Sequence, residues 1–358
     1  MKIPFLNPSS NSHLEGAILI VSQSLENIER ICSQLSLQGL SVFKRLQKNP
    51  LEVSPEDLTS KLQAVILDIQ QIENSYDYCA LIPKIFPKDI PCIILSRNDS
   101  IKICQQFLSQ GIFYLDWESQ IDQIYEKIFN FEVNIPNKKS VKITCLGTKG
   151  GVGNSFVTYG LAQVIKQRFL SLVLNVQGAD SSFNLDFIAG KSFEKELDIP
   201  DGVCLFKEQA EDAYDYHHPK HKRFNFILYD HSVQSHSKDT IEMILNESDT
   251  IVLVMNSELD SLRKTKEILR INEFLRSVHQ GAKKVFVCCN QARLGAKSSL
   301  DIADMEEIMG AKIDICIPNQ SLDRSCVGLV TKGNTKKSLE LLADKLTGVP
   351  AKRKRRWI

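Results

Sequence analysis

The chain has 358 residues, with 43% hydrophobic and 24% charged, the balance of a folded protein long enough for two cores. Its formal net charge is +1, but five cations stand together in the tail "AKRKRRWI", so the rest of the chain is net negative and gives no sign of a broad nucleic-acid-binding face. None of the 10 cysteines forms a CxxC pair, and most lie in apolar runs such as "PCIIL" and "VFVCCN", which argues against a disulfide framework or zinc knuckle and for a reducing cytoplasm.

The opening "MKIPFLNPSSNSHLEG" carries prolines at 4 and 8 and lacks an apolar stretch of signal-peptide length, so residues 1–15 read as a disordered leader. From residue 16 to 132, strand and helix signals alternate. "GAILIVS", "QAVILDI", "IPCIILS" and "IFYL" read as buried strands; "LENIERICSQLSLQG", "IKICQQFLSQG" and "SQIDQIYEKIFNF" read as helices. Buried strands alternating with helices predict a parallel sheet covered on both faces.

The stretch "VNIPNKKS", 133–140, breaks the periodicity and is read as a linker. A second α/β domain over 141–349 starts with "SVKITCLG". Its further strand candidates are "LSLVLNV", "RFNFILYD", "DTIVLVMN", "KKVFVCCN" and "AKIDICIP". Helices are predicted over 155–169, 261–279 and 335–346, with Ile268, Ile271, Leu275 and Val278 on one face of the middle one.

Between the first strand and helix of this domain stands "TKGGVGNS". Glycines at 150, 151 and 153 permit a tight turn and close approach to a phosphate. The helix N-terminus behind them favours an anion. The candidate ATP/phosphate-binding residues are therefore Lys149, Gly150, Gly151, Val152, Gly153, Asn154, Ser155 and Phe156, with Ser155 as a magnesium ligand if nucleotide is bound.

Lys149 before Gly150-Gly151 resembles the signature of the deviant Walker A ATPases, the ParA/MinD group. That resemblance implies a P-loop, doubly wound sheet, a homodimer, and a lysine that reaches the partner's nucleotide. It places Asp230, ending "FILYD", at the Walker B position and Asn290, ending "VFVCCN", at an adenine contact. "SDTIVLVMNSELDSLRKTKEIL" with its "DSLR" is similar to the Flp/Tad pilus assembly branch, TadZ and CpaE. That branch also carries an N-terminal receiver-like, flavodoxin-like domain, which residues 16–132 match. The resemblance spans roughly residues 16 to 346.

Departures from the pattern are chemical. Asn154 stands where the family has its phosphate lysine, and Ala179, with Gln177 before it, where it has the aspartate that positions water; Asp180 fits only after a shift of one residue. Loss of that cation and that carboxylate predicts little or no hydrolysis and no catalytic residue. In the first domain Asp68 and Ser96 match a receiver's phosphoacceptor and hydroxyl positions. Its acidic pair is replaced by Ser22-Gln23 and its lysine by Trp117, so Asp68 and Ser96 read as a vestigial site in a pseudo-receiver.

His217, His218 and His221 in "YDYHHPKHKRF" read as a solvated loop rather than a metal site. The basic tail, 350–358, offers a peripheral contact to anionic lipid through 352–358. The reading that results is a cytoplasmic, dimeric scaffold, binding ATP and magnesium weakly if at all. By resemblance it organises a Flp/Tad pilus-assembly machine, through that machine or a polar marker protein, at a cell pole. An active positioning ATPase and a response regulator phosphorylated on Asp68 are the alternatives.

Overall fold

A computed structural model of the chain describes residues 16–57, 61–69, 75–131, 139–179, 185–190, 192–198, 202–233, 236–291, 300–318 and 333–348. The leader, Asp180 and the basic tail lie outside the described residues. The chain divides into two units, Met1–Lys138 and Lys139–Ile358.

The first unit runs β1 (Ala17–Ser22), α1 (Leu25–Leu37), β2 (Phe43–Gln47), β3 (Leu62–Asp68), α2 (Ser75–Ile85), β4 (Cys92–Ser96), α3 (Ile101–Leu108), β5 (Phe113–Asp116) and α4 (Ile124–Phe129). Its five strands lie in the order β2-β1-β3-β4-β5, all parallel. Ala17–Ser22 and Cys92–Ser96 are buried throughout, as strands covered by helices on both faces must be. Ser24 caps α1 by accepting from the Asn27 amide, and the helix turns Ile28, Ile31 and Leu35 onto Ile18, Ile20, Ile66 and Trp117. Each such aliphatic side chain stabilises by about 1.5–3 kcal/mol through burial.

The second unit continues with β6 (Val141–Gly147), α5 (Asn154–Arg168), β7 (Val173–Gln177), α6 (Leu185–Ala189), β8 (Glu196–Leu197), β9 (Cys204–Lys207) and β10 (Phe226–Ser232). It closes with α7 (Lys238–Glu247), β11 (Thr250–Met255), α8 (Leu259–Ser277), β12 (Lys284–Asn290), α9 (Ile302–Met309), β13 (Ile315–Ile317) and α10 (Gly333–Thr347). The strand order is β13-β12-β11-β6-β10-β7-β9-β8, parallel except for the short β8–β9 pair. Both sheets are therefore α/β and doubly wound in the sense the alternation predicted.

Ile268, Ile271 and Leu275 of α8 are buried against Leu146, Ile251 and Leu253. Val278 does not join them: it lies just past the helix end and is half exposed, because the chain leaves the helical track there. The strand β2, "FKRLQ", was not anticipated. It is an edge strand, partly exposed along its length, so it lacks the continuous apolar run of its buried neighbours.

Candidate functional site

The sheet of the second unit brings Gly147, Asp230 and Gln177 to the carboxyl ends of neighbouring strands. Ser232 pairs with Gly147, and Asp230 with both Cys145 and Gln177. This is the edge at which parallel sheets commonly take ligands. The loop 148–153 leaves β6 here and is fastened at its start, where Thr148 N donates to Val254 O at 3.0 Å and Thr148 Oγ1 lies 2.7 Å from Ser261 Oγ. Gly151 and Gly153 adopt left-handed backbone, φ 76° and 80°, and Gly153 is the N-cap residue just before α5. A β-carbon at Gly153 would stand 2.4 Å from Asn290 Nδ2, so this glycine is required twice over, by conformation and by contact.

The polar side chains around the loop are engaged within the protein. Asn154 Nδ2 donates to Asp230 Oδ1 at 2.5 Å, with Cys145 O and His231 O each at 3.0 Å. Its Oδ1 is buried and accepts no hydrogen bond among the described residues. Lys149 forms an ion pair with Glu258, the residue that precedes α8. Glu258 is held in turn by Asn256, whose Nδ2 donates to Glu258 Oε1 at 3.0 Å and whose Oδ1 accepts from Glu258 N at 3.1 Å. Asn290 donates its side-chain amide to Val152 O at 2.9 Å, and so braces the loop against β12. Ser155 and Phe156 lie half-buried in the first turn of α5, and Val152 is buried.

Thus Lys149 through Phe156, Asp230 and Asn290 gather at one sheet edge. Lys149, the candidate for reaching a partner's nucleotide, is paired with Glu258 of its own chain. Exposed Ala179, expected from the sequence at a water-positioning place, donates its backbone N–H to Glu208 Oε2 at 3.3 Å. Sequence reading missed Glu208, because it follows a different strand, β9, and nothing local marks it. The same oxygen accepts from Tyr214 N at 3.3 Å, so the carboxylate fastens two backbone segments.

In the first unit Asp68 is buried at the end of β3. Ser22 Oγ donates to its Oδ2 at 2.5 Å and Asn27 Nδ2 to the same oxygen at 2.8 Å. Burial pushes the carboxyl above its ordinary range, against the pull of these two bonds. Ser96 is buried and its hydroxyl accepts from Asn98 N at 3.1 Å. The Ser22 hydroxyl is thus committed to Asp68.

The histidine stretch is not one solvated loop. His221 is buried, with Nδ1 3.1 Å from the Tyr229 hydroxyl. His218 accepts from Lys220 N, and His217 lies 2.9 Å from Glu247. Phe206 and Tyr229 pack around His221, which is why a residue in a polar stretch ends inside. Among the described residues no cluster of three or more His, Cys, Asp or Glu could hold a metal ion, and no helix is long and apolar enough to cross a membrane.

Fold and site together define an α/β protein with a glycine-rich strand-to-helix loop at the carboxyl edge of a parallel sheet. No family model matches the chain, and no curated protein matches it. Among solved structures it is similar to a ParA family ATPase from Chlorobium tepidum, 18% identical, covering 57% of this chain and 99% of that one at a TM-score of 0.48. The septum site-determining protein MinD of Pyrococcus horikoshii, complexed with Mg-ADP, is 18% identical over 60% of this chain and 100% of that one, TM-score 0.45. The MinC:MinD cell division complex of Aquifex aeolicus gives 18% identity, 58% and 96% coverage and a TM-score of 0.45.

Proposed function

We propose that this chain is a nucleotide-responsive scaffold without efficient hydrolysis. It would pair with a second copy through its P-loop unit and, as the TadZ/CpaE resemblance implies, help place a Flp/Tad pilus-assembly machine at a cell pole. The observation that carries this reading is the commitment of Asn154 to Asp230 and two backbone carbonyls. A short neutral amide turned into the sheet supplies no positive charge to a β- or γ-phosphate.

Magnitudes favour weak binding. The helix N-terminus contributes about 0.3–1 kcal/mol toward an anion, whereas a hydrogen bond from a charged group contributes about 1.5–3 kcal/mol. The loop therefore keeps its shape and part of its attraction while losing the larger component. Lys149 must also leave Glu258 before it can serve a nucleotide. In the first unit, Ser22 and Asn27 on Asp68 support a contact surface in place of a phosphoacceptor. The cations of 352–358 add an electrostatic contact to anionic lipid in this scheme.

Titration of the purified full chain with a fluorescent ATP analogue and magnesium, together with its mass in solution, tests the proposal. Weak binding is expected, with the Asn154→Lys, Ala179→Asp double variant binding at least about tenfold more tightly, since one charge-assisted bond suffices for that factor. Equal affinity in the two proteins would overturn the assignment of the loop.

A further inference from the structure

Cys289 of β12 and Cys316 of β13 are register partners in a parallel strand pair. Neighbouring strands run about 5 Å apart, within the roughly 4.4–6.8 Å between α-carbons that a disulfide spans. Side chains alternate across a sheet, so the adjacent Cys288, opposite Ile315, points to the other face. Cys289 and Cys316 share the face that packs on Met305 and Met309. Cys289 is wholly buried, and Cys316 is partly exposed. Both are free thiols.

We propose that Cys289 and Cys316 are a peroxide-responsive dithiol that closes reversibly into a disulfide stapling β13 to β12. Cys316 is the attacking group. It is the more exposed of the two, and the nearby Cys289 thiol lowers its pKa against the effect of burial, which favours its thiolate. Cys289 is pushed up by its neighbour Cys316 and by burial, and is the protonated, resolving partner.

The chemistry balances. Cys316 thiolate attacks one oxygen of hydrogen peroxide; the O–O bond breaks, hydroxide leaves and takes a proton from solvent, and Cys316 becomes a sulfenic acid. The Cys289 sulfur then attacks the Cys316 sulfur. The S–O bond breaks, the Cys289 proton leaves with the hydroxyl as water, and the S–S bond forms. Two thiols are oxidised by two electrons, and one peroxide is reduced to two waters.

The staple would lie beside the loop. Asn290, next to Cys289, is the residue that braces Val152. Ser338 of α10 donates to Cys316 O at 2.9 Å, so β13 is already seated where the bond would form.

The test is to expose the native full chain to hydrogen peroxide, block remaining thiols with an alkylating agent and map tryptic peptides without reduction. Cleavage after Lys284, Arg293, Lys312 and Arg324 separates the two cysteines onto different peptides. The expected product joins 285–293 to 313–324, lighter by two hydrogens than the pair, and is cleaved by dithiothreitol. It persists in Cys288→Ser and is lost in Cys289→Ser and in Cys316→Ser. Cys316 left reduced, carried on to sulfinic acid while Cys289 is alkylated, or bonded to any other cysteine would overturn the proposal. The wild-type map decides the matter even where a variant folds poorly.

Discussion

Asn154 and Asp230, 76 positions apart in the chain, meet Nδ2 to Oδ1 at 2.5 Å where β6 and β10 end side by side. The same amide nitrogen lies within reach of Cys145 O and His231 O. A residue that reads in sequence as a missing lysine is thus a fastening between the loop and the sheet. Asn154→Ala should destabilise the protein by about 1–3 kcal/mol, the usual consequence of withdrawing a donor from buried acceptors. Asn154→Asp should cost more, because it sets a second carboxylate against Asp230. Urea unfolding measures both; an Asn154→Asp protein as stable as wild type would rule out the contact.

The loop is braced from the other side by Asn290. Gly153→Ala meets two penalties: left-handed backbone at φ 80°, about 1–2 kcal/mol for a residue with a β-carbon, and collision with Asn290 Nδ2. Adding Asn290→Ala should recover the collision component and leave the backbone component. A double-mutant cycle measures the difference, and strict additivity would show that the side chains do not meet.

Asp68 contributes stability with the opposite sign to an ordinary surface carboxylate. Its folded-state pKa is raised, so the native state holds its proton more tightly, and stability falls as pH rises from the ordinary value of 3.8 through the folded value. Asp68→Asn keeps an oxygen to accept from Ser22 and Asn27 and removes the desolvated charge. It should leave stability at pH 7 within about 1 kcal/mol of wild type or raise it. No label from acetyl phosphate should appear at Asp68 in the presence of magnesium. Stoichiometric, acid-stable incorporation at Asp68 would instead favour a working receiver.

His221 makes the second unit acid-sensitive. Burial, reinforced by neighbouring His218, holds its imidazole down to about 4 from 6.5. With a depressed folded value, the unfolded chain binds the extra proton first, so stability is complete above about 6.5 and is lost as pH falls toward about 4. The loss amounts to about 3 kcal/mol. Urea midpoints between pH 7 and 4 should fall more steeply in wild type than in His221→Gln. Parallel slopes would show that His221 charges freely in the folded protein.

The parts of this architecture that announce themselves in sequence do so for a physical reason. Buried parallel strands must be apolar on both faces, so "GAILIVS", "QAVILDI" and "DTIVLVMN" stand out, whereas the edge strand Phe43–Gln47 does not. Glycines 151 and 153 mark the loop because their backbone angles disfavour residues with a β-carbon. What each loop side chain holds is not legible. Lys149 and Glu258 are 109 residues apart, and Asn290 and Val152 are 138 apart. Only the strand order brings them together. His221 was misjudged for a related reason: its polar neighbours in the chain say nothing of Tyr229 and Phe206, which enclose it.

The most direct measurement is phosphate release by the purified full chain at saturating ATP and magnesium, alongside the Asn154→Lys, Ala179→Asp double variant. Wild type should release no phosphate above the nucleotide's spontaneous rate, because its loop amide is bonded to Asp230 and its Ala179 has no carboxylate. Turnover by wild type of roughly 1 s⁻¹, within the ordinary enzymatic range, would contradict the scaffold reading.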